Sequence, residues 1–351
     1  MQYEEDYEYI TKSLKRKARR KGKTITESTI RTYVTAVNSY VKFLDNSFTS
    51  TLDMEVDDIV DTIEDFKDFL IDEDKANSTI NKRVDLLKAL YKLGKKDLGS
   101  IEKLVVHESN DPDRLPNKNE IRQVLNTTNN KQLKAIILFM ASSGCAINEV
   151  TNLTVGEFKK SLMEYTSHDE FYDILEDLWN ESDIIPTIKV HRAKTDFFYY
   201  TCCTPECTTA ILKYLSTRGQ LKDEDPLFTM SKPAINQAFR YYNDKLNFGK
   251  IDNHRKFHPH GLRKFFATQL TLAGVHNEDI DRLLGHKVKS VLSKYSYANK
   301  NIKSAYMKGI EYLKIKEDSE EVKQLKKQIK ELEQIIANKN KRIAKLESLT
   351  W

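Results

Sequence analysis

Glycine and proline are scarce, at 11 and 7 in 351 residues. That is about 3% and 2%, against typical usages of ~7% and ~5%. So few chain-turning residues argue against a sandwich or propeller and for a mostly helical protein. Long apolar runs are missing too. No stretch approaches the ~18 consecutive apolar residues of a membrane-spanning helix. The first residues, QYEEDYEYI, are acidic and have no apolar core, so no secretory signal is expected. Cysteine is limited to Cys145, Cys202, Cys203 and Cys207. They form no CxxC pair and two are adjacent, which argues against a disulfide framework and for reduced thiols in a cytoplasmic setting.

A charge excess of one sign is also lacking. Lys and Arg number 57 against 52 Asp and Glu, a net +5. The distribution is more informative than the sum. Lys12, Lys15, Arg16, Lys17, Arg19, Arg20, Lys21 and Lys23 form a block with no acid among them. Such a block is either a solvated face or an arm that contacts nucleic-acid phosphates. The segment from Asp53 to Asp74 is acidic instead.

With 39% hydrophobic and 31% charged residues, the chain has apolar mass for two or three domains. Residues 1–23 read as a basic arm. A helical domain follows over 24–106. Thr26–Thr29 supplies N-cap chemistry, and Ile30, Tyr33, Val34, Val37, Tyr40, Val41 and Leu44 recur at helical spacing. Ile59, Ile63, Phe66 and Phe69 mark a second helix. A third starts at an Asn77–Ser78 cap and stops at Gly94. The polar stretch 107–116, with Pro112 and Pro116, reads as a linker.

Residues 117–312 read as an α-rich domain with a small antiparallel sheet. Its strands are expected at Thr187–Arg192 and Phe197–Cys203, and an acidic, aromatic helical insertion at Glu157–Glu181. Over 318–351, Val322, Leu325, Ile329, Leu332, Ile336, Ile343 and Leu346 recur at three- and four-residue steps, with Lys339 filling the break. That is the a/d pattern of a coiled coil, roughly 40 Å long at ~1.5 Å per residue. The alternative is an amphipathic helix packed on its own protomer. The fold class expected is therefore a mainly α, multidomain protein with a C-terminal coiled-coil helix.

The chemistry concentrates in FHPHGLRKFFATQ, residues 257–269. His260 and Arg263 lie three apart at a helix start and share a face. Leu284-Gly285-His286 follows, and Tyr295 comes nine residues after His286. Lys194 sits between the two expected strands. Together these groups suit phosphodiester chemistry. Arginine binds two nonbridging oxygens with its fork, and histidine hydrogen-bonds them or handles a proton. Lysine can protonate the leaving oxygen, and a tyrosine hydroxyl can attack and hold the phosphate as an ester. Tyr297 competes with Tyr295, and Lys189 with Lys194. Glu149 reads as structural, holding a neighbouring basic side chain. His254, His258 and His260 resemble a metal cluster by count, but Pro259 intervenes and no acid or cysteine is paired with them, so no metal is expected.

Over residues 24–305 the sequence resembles the tyrosine recombinase (phage-integrase) family. HPHGLRKFFAT resembles its His-x-x-Arg box, LLGH with the later tyrosine its last box, AKTD its lysine-bearing hairpin, and SSGCAINEVTNLTVGEF its first box. The resemblance implies a core-binding domain and a catalytic domain clamped around double-stranded DNA. It implies attack by Tyr295 to leave a 3′-phosphotyrosine, and Arg263, His260, His286 and Lys194 as the other catalytic residues. It further implies no cofactor and a homo-tetramer acting on two DNA sites in a host cell, as expected of an integrase of a virus or other mobile element. The first box departs at one point: Ala146 stands where the family carries its first catalytic arginine. Neither Arg192 nor Arg263 is an obvious replacement, so impaired cleavage is expected. The rival readings are a non-catalytic DNA-bridging protein on the same fold and a type IB topoisomerase, and the C-terminal stripe argues against the latter.

Overall fold

The structure is a computed structural model that describes residues 3–106, 114–181, 183–193, 196–251, 254–286 and 298–316. The heptad segment, Lys194, Tyr295 and Tyr297 lie outside the described residues, as does most of the 107–116 segment. The chain divides into two compact units, Met1–Glu108 and Ser109–Trp351.

The first unit holds α1 (Glu4–Arg20), α2 (Glu27–Leu44), α3 (Val56–Asp72) and α4 (Asn77–Leu93). Their apolar faces close over one core, in which Tyr40 meets Phe66 edge-on at 5.0 Å and Phe48 lies 4.8 Å from Tyr91. Thr26 caps α2 as its sequence suggests, its hydroxyl accepting from the Thr29 amide. At α4 the residue before the helix is Ala76, which offers no side-chain cap, so the expected Asn77–Ser78 cap is not made.

The segment 1–23 requires a correction. It is not a free arm: residues 4–20 form α1, and Ile10 and Leu14 are buried in the core of this unit. The i, i+4 pair gives the helix an apolar stripe, which the surrounding cations obscure in the sequence. The buried Asp6 carboxylate accepts the amides of Phe48 (3.0 Å) and Thr49 (2.9 Å) and so ties α1 to the turn that follows α2.

The second unit is built on α6 (Lys131–Ser143), whose residues from Ala135 to Ser143 are all buried. A helix that is apolar all round belongs at the centre of its domain. It packs against α10 (Pro205–Leu215) and α12 (Pro259–Leu272). α5 (Lys118–Thr127) precedes it, opened by an Asn117/Glu120 capping box. α7 (Ile147–Asn152), α8 (Val155–Leu162) and α9 (Phe171–Leu178) follow it. The expected insertion is thus two short helices, and α9 buries Phe171, Ile174, Leu175 and Leu178 in the core.

Strands β1 (Thr187–Arg192) and β2 (Phe197–Cys202) pair antiparallel, from Thr187 opposite Cys202 to Arg192 opposite Phe197. α11 (Lys232–Lys245) leads to a second, two-residue pair, β3 (Lys250–Ile251) and β4 (His254–Arg255). α13 (Asn277–Leu283) and α14 (Ala298–Leu313) complete the unit. The Tyr306 hydroxyl of α14 donates to the Ser142 carbonyl (2.9 Å), fastening that helix to the end of α6. All four cysteines are free and buried, and burial pushes the thiols of Cys145 and Cys202 up to about 12. No described helix is long and apolar enough to cross a membrane.

Candidate active site

Three chain segments converge on Arg263. The first is the start of α12. Pro259 occupies its first turn, where its missing N–H is no loss. His258 precedes it, with Nδ1–H donating to the carbonyls of Arg255 (2.7 Å) and Lys256 (3.1 Å). His260 is left exposed at the mouth of the helix. Partial burial, and then the positive charges of Lys264, His258 and Arg263, hold its pKa below the ordinary histidine value. With Arg114, His254, His258 and Lys264 it borders a cavity of about 160 Å³ lined largely by cations and imidazoles.

One turn further on, Arg263 is buried. The second segment meets it there. Gly144 ends α6 at φ +68°, and its carbonyl accepts from Arg263 Nη1 at 2.7 Å. A side chain at Gly144 would meet Phe266 at 2.5 Å as well as strain the backbone, so the turn depends on glycine. The next residues are Cys145 and Ala146. The Ala146 amide donates to Glu149 Oε2 at 2.6 Å, one half of a capping box for α7. The same oxygen takes the Tyr199 hydroxyl at 2.9 Å and lies 3.4 Å from Arg263 Nη1.

The third segment follows α13. The Leu284 carbonyl accepts from Arg263 Nη2 at 2.6 Å. Gly285 turns the chain at φ +64° against the ring of Tyr199. His286 then faces Arg263, its Nε2 accepting from Nη2 at 3.2 Å, while its Nδ1–H donates to Asp281 at 2.8 Å. Both contacts require the neutral ring with its proton on Nδ1.

Of the residues singled out in the sequence, Arg263 and His286 are therefore in contact. Ala146 joins them through Glu149, and His260 stands on the same helix as Arg263. Glu149 does hold a basic side chain, as expected. Tyr199 was not anticipated, and Arg192 was weighed in the sequence only as a replacement for the first-box arginine and set aside. Arg192 Nη1 donates to the carbonyls of Leu284 (3.0 Å) and Gly285 (2.5 Å), and its Nε stands 3.8 Å from Glu149 Oε1. The RAKTD hairpin offered a signal for Arg192, its place at the end of β1. Nothing in the sequence signals that it bends towards a loop 93 residues away. Among the described residues, no group of three or more His, Cys, Asp or Glu is arranged to hold a metal ion.

Residues 175–301 match the phage integrase family. The tyrosine recombinase XerC of Listeria welshimeri is 36% identical over 107 residues, which cover 28% of this chain and 35% of that protein. The chain is similar to the tyrosine recombinases over this part of its length.

The aligned region thus spans about a third of the length of the curated recombinases it matches. Solved structures extend the likeness of fold over more of the chain. A lambda integrase dimer bound to a COC′ core site has a TM-score of 0.54 at 13% identity, covering 80% of this chain and 95% of that one. The Tn1549 transposon integrase in complex with circular intermediate DNA has a TM-score of 0.52 at 16% identity, covering 86% and 98%. The helix-rich unit with its small antiparallel sheets is the tyrosine recombinase fold.

Proposed function

We propose that the chain is a site-specific recombinase, the integrase of a virus, plasmid or other mobile element. It would cut and rejoin duplex DNA by transesterification. The Tyr295 hydroxyl gives up its proton to water or an imidazole and attacks a backbone phosphorus, a 3′-phosphotyrosine forms, and the bond to the 5′-oxygen breaks. Lys194 gives that oxygen its proton. A 5′-hydroxyl of a partner duplex then attacks the same phosphorus and releases the tyrosine. Each step exchanges one phosphoester for another, so no cofactor is consumed. A full exchange would use a homo-tetramer on two DNA sites in the host cytoplasm. Arg263 and His260 would hold the nonbridging oxygens, and His286 would join them once its Nε2 carries a proton.

The supporting observation is Arg263 itself. Its guanidinium is buried and held in place by two carbonyls and a carboxylate, with His286 alongside, so its position is set before a phosphate arrives. Taken alone, an alanine at 146 removes a second such group, at a cost of about 100-fold or more in rate. That substitution favours the second reading, a DNA-bridging protein without cleavage.

The test is a nicked suicide duplex, which traps the covalent adduct. Adduct formation by the wild type, and its loss in Tyr295→Phe with DNA binding retained, supports the recombinase. An adduct persisting in Tyr295→Phe moves the nucleophile to Tyr297 or elsewhere. DNA retention with no adduct in any variant, Ala146→Arg included, leaves the bridging protein.

A further inference from the structure

We infer that Arg192 is a catalytic residue that supplies, from strand β1, the phosphate-binding guanidinium absent at Ala146. The inference rests on the recombinase reading above and concerns how that reaction proceeds without the arginine of the first box.

Position is the first argument. Ala146 and Arg192 line one cavity of about 110 Å³, with Glu149, Asn148 and Asn152 among its walls. Arg192 therefore borders the space beside the residue that lacks a side chain long enough to act.

Conformation is the second. An arginine at the end of a hairpin strand would ordinarily extend into water, where its head is best solvated. Arg192 turns inward instead, leaving its side chain 20% exposed. It shares the Leu284 carbonyl with Arg263, at 3.0 and 2.6 Å. The two guanidinium groups thus converge on one oxygen, and they flank opposite oxygens of the Glu149 carboxylate.

Charge is the third. Two guanidiniums brought together away from bulk water repel, and Glu149 neutralises only one of them. The excess positive charge is the condition for binding an anion. Arg192 Nη1 is committed to its two carbonyls, while Nη2 has no hydrogen-bond partner among the described residues. That leaves two N–H groups for nonbridging phosphate oxygens. The carbonyls belong to the Leu284–Gly285 turn that also carries His286, so one loop sets both groups.

The experiment moves the guanidinium within the full-length protein. The probe is a pool of nicked suicide duplexes tiled across the DNA that flanks the gene. The readouts are the covalent adduct on a denaturing gel and retention of duplex in a mobility shift. Arg192→Ala should lower the adduct rate by about 100-fold with retention unchanged. Adding Ala146→Arg to that variant should recover most of the activity. An arginine that merely ties β1 to the loop would not be replaced from position 146.

If Arg192→Ala melts early, Arg192→Lys keeps the charge and stem but not the fork, and should still be slower by about tenfold or more. Equal adduct rates for wild type and both Arg192 variants would overturn the inference and leave the recombinase standing. So would a silent wild type with an active Ala146→Arg variant. Silence of both on duplexes that they retain would overturn the inference and the recombinase reading together.

Discussion

Tyr199 and Glu149 meet across a 2.9 Å hydrogen bond, on the carboxylate oxygen that also receives the Ala146 amide. Tyr199 is buried and lies against the Gly285 turn, so one ring supports both loops that hold Arg263. Tyr199→Phe keeps the ring and removes one donor from a buried charged acceptor. We expect stability to fall by about 1.5–3 kcal/mol, measured by urea unfolding. Strand cleavage should fall as well, because Glu149 would turn more freely. An unchanged urea midpoint would mean that water replaces the phenol.

The basic block needs a different test from deletion, because α1 belongs to the core of its unit. Lys12, Lys15, Arg16, Arg19 and Arg20 lie on that helix outside its buried stripe, while Ile10 and Leu14 face inward. Replacing those five cations by Gln should leave folding intact and weaken DNA binding for all sequences alike. The slope of log K against log salt should flatten by about 0.9 for each phosphate that is no longer neutralised. A slope equal to wild type would make this face solvated surface only.

Acid should destabilise the second unit in two steps. Burial, foremost, holds His258 below its ordinary 6.5, and His260 shifts the same way. The unfolded chain therefore takes up these protons first. The contribution is complete above pH 6.5 and is lost as pH falls from there through the folded-state values. Asp244, gripped by both Nε and Nη2 of Arg255, is lowered from 3.8 to about 2. Its contribution is complete above the unfolded value and is lost as pH falls through about 2. His258→Asn retains a side-chain N–H without the titration and should shrink the upper step. A urea midpoint with the same pH dependence as wild type would refute that assignment.

The heptad segment can be removed cleanly. Immediately before it, the amides of Ile315 and Lys316 donate to the Glu206 carboxylate, at 2.6 and 3.0 Å, and Arg122 donates to the Ile315 carbonyl. Truncation after Glu317 keeps these ties. Single-site binding should survive and pairing of two duplexes should weaken, because a preformed dimer raises the local protomer concentration. Lys339 in the seam should keep the dimer weak. Sedimentation of the full and truncated chains, with and without DNA, decides the matter. Equal assembly by both would mean that the stripe packs on its own protomer.

Long-period patterns were legible in the sequence, and short-range exceptions were not. α2 and α3 are visible because apolar residues recur over several turns, and the main hairpin because β-formers flank a polar turn. Strands β3 and β4 have two residues each, too few for any period. α1 was obscured because the cations outweigh a stripe of Ile10 and Leu14. At the candidate site, residue types and spacing picked out Arg263, His260 and His286, since their chemistry is local to two boxes. Arg192 and Tyr199 join through tertiary contacts alone, and no window of sequence contains both ends of those bonds.

Arg263 and Arg192 are seated mainly by main-chain oxygens: the carbonyls of Gly144 and Leu284 for one, Leu284 and Gly285 for the other. Substituting a side chain cannot delete such a partner, because every residue carries the same carbonyl. The seats depend on the course of the chain, which two glycines fix, and hardly on what surrounds them. Neighbouring positions can therefore change without dislodging the arginines. A change at Gly285 would move both seats and their occupants at once, and one at Gly144 would move that of Arg263.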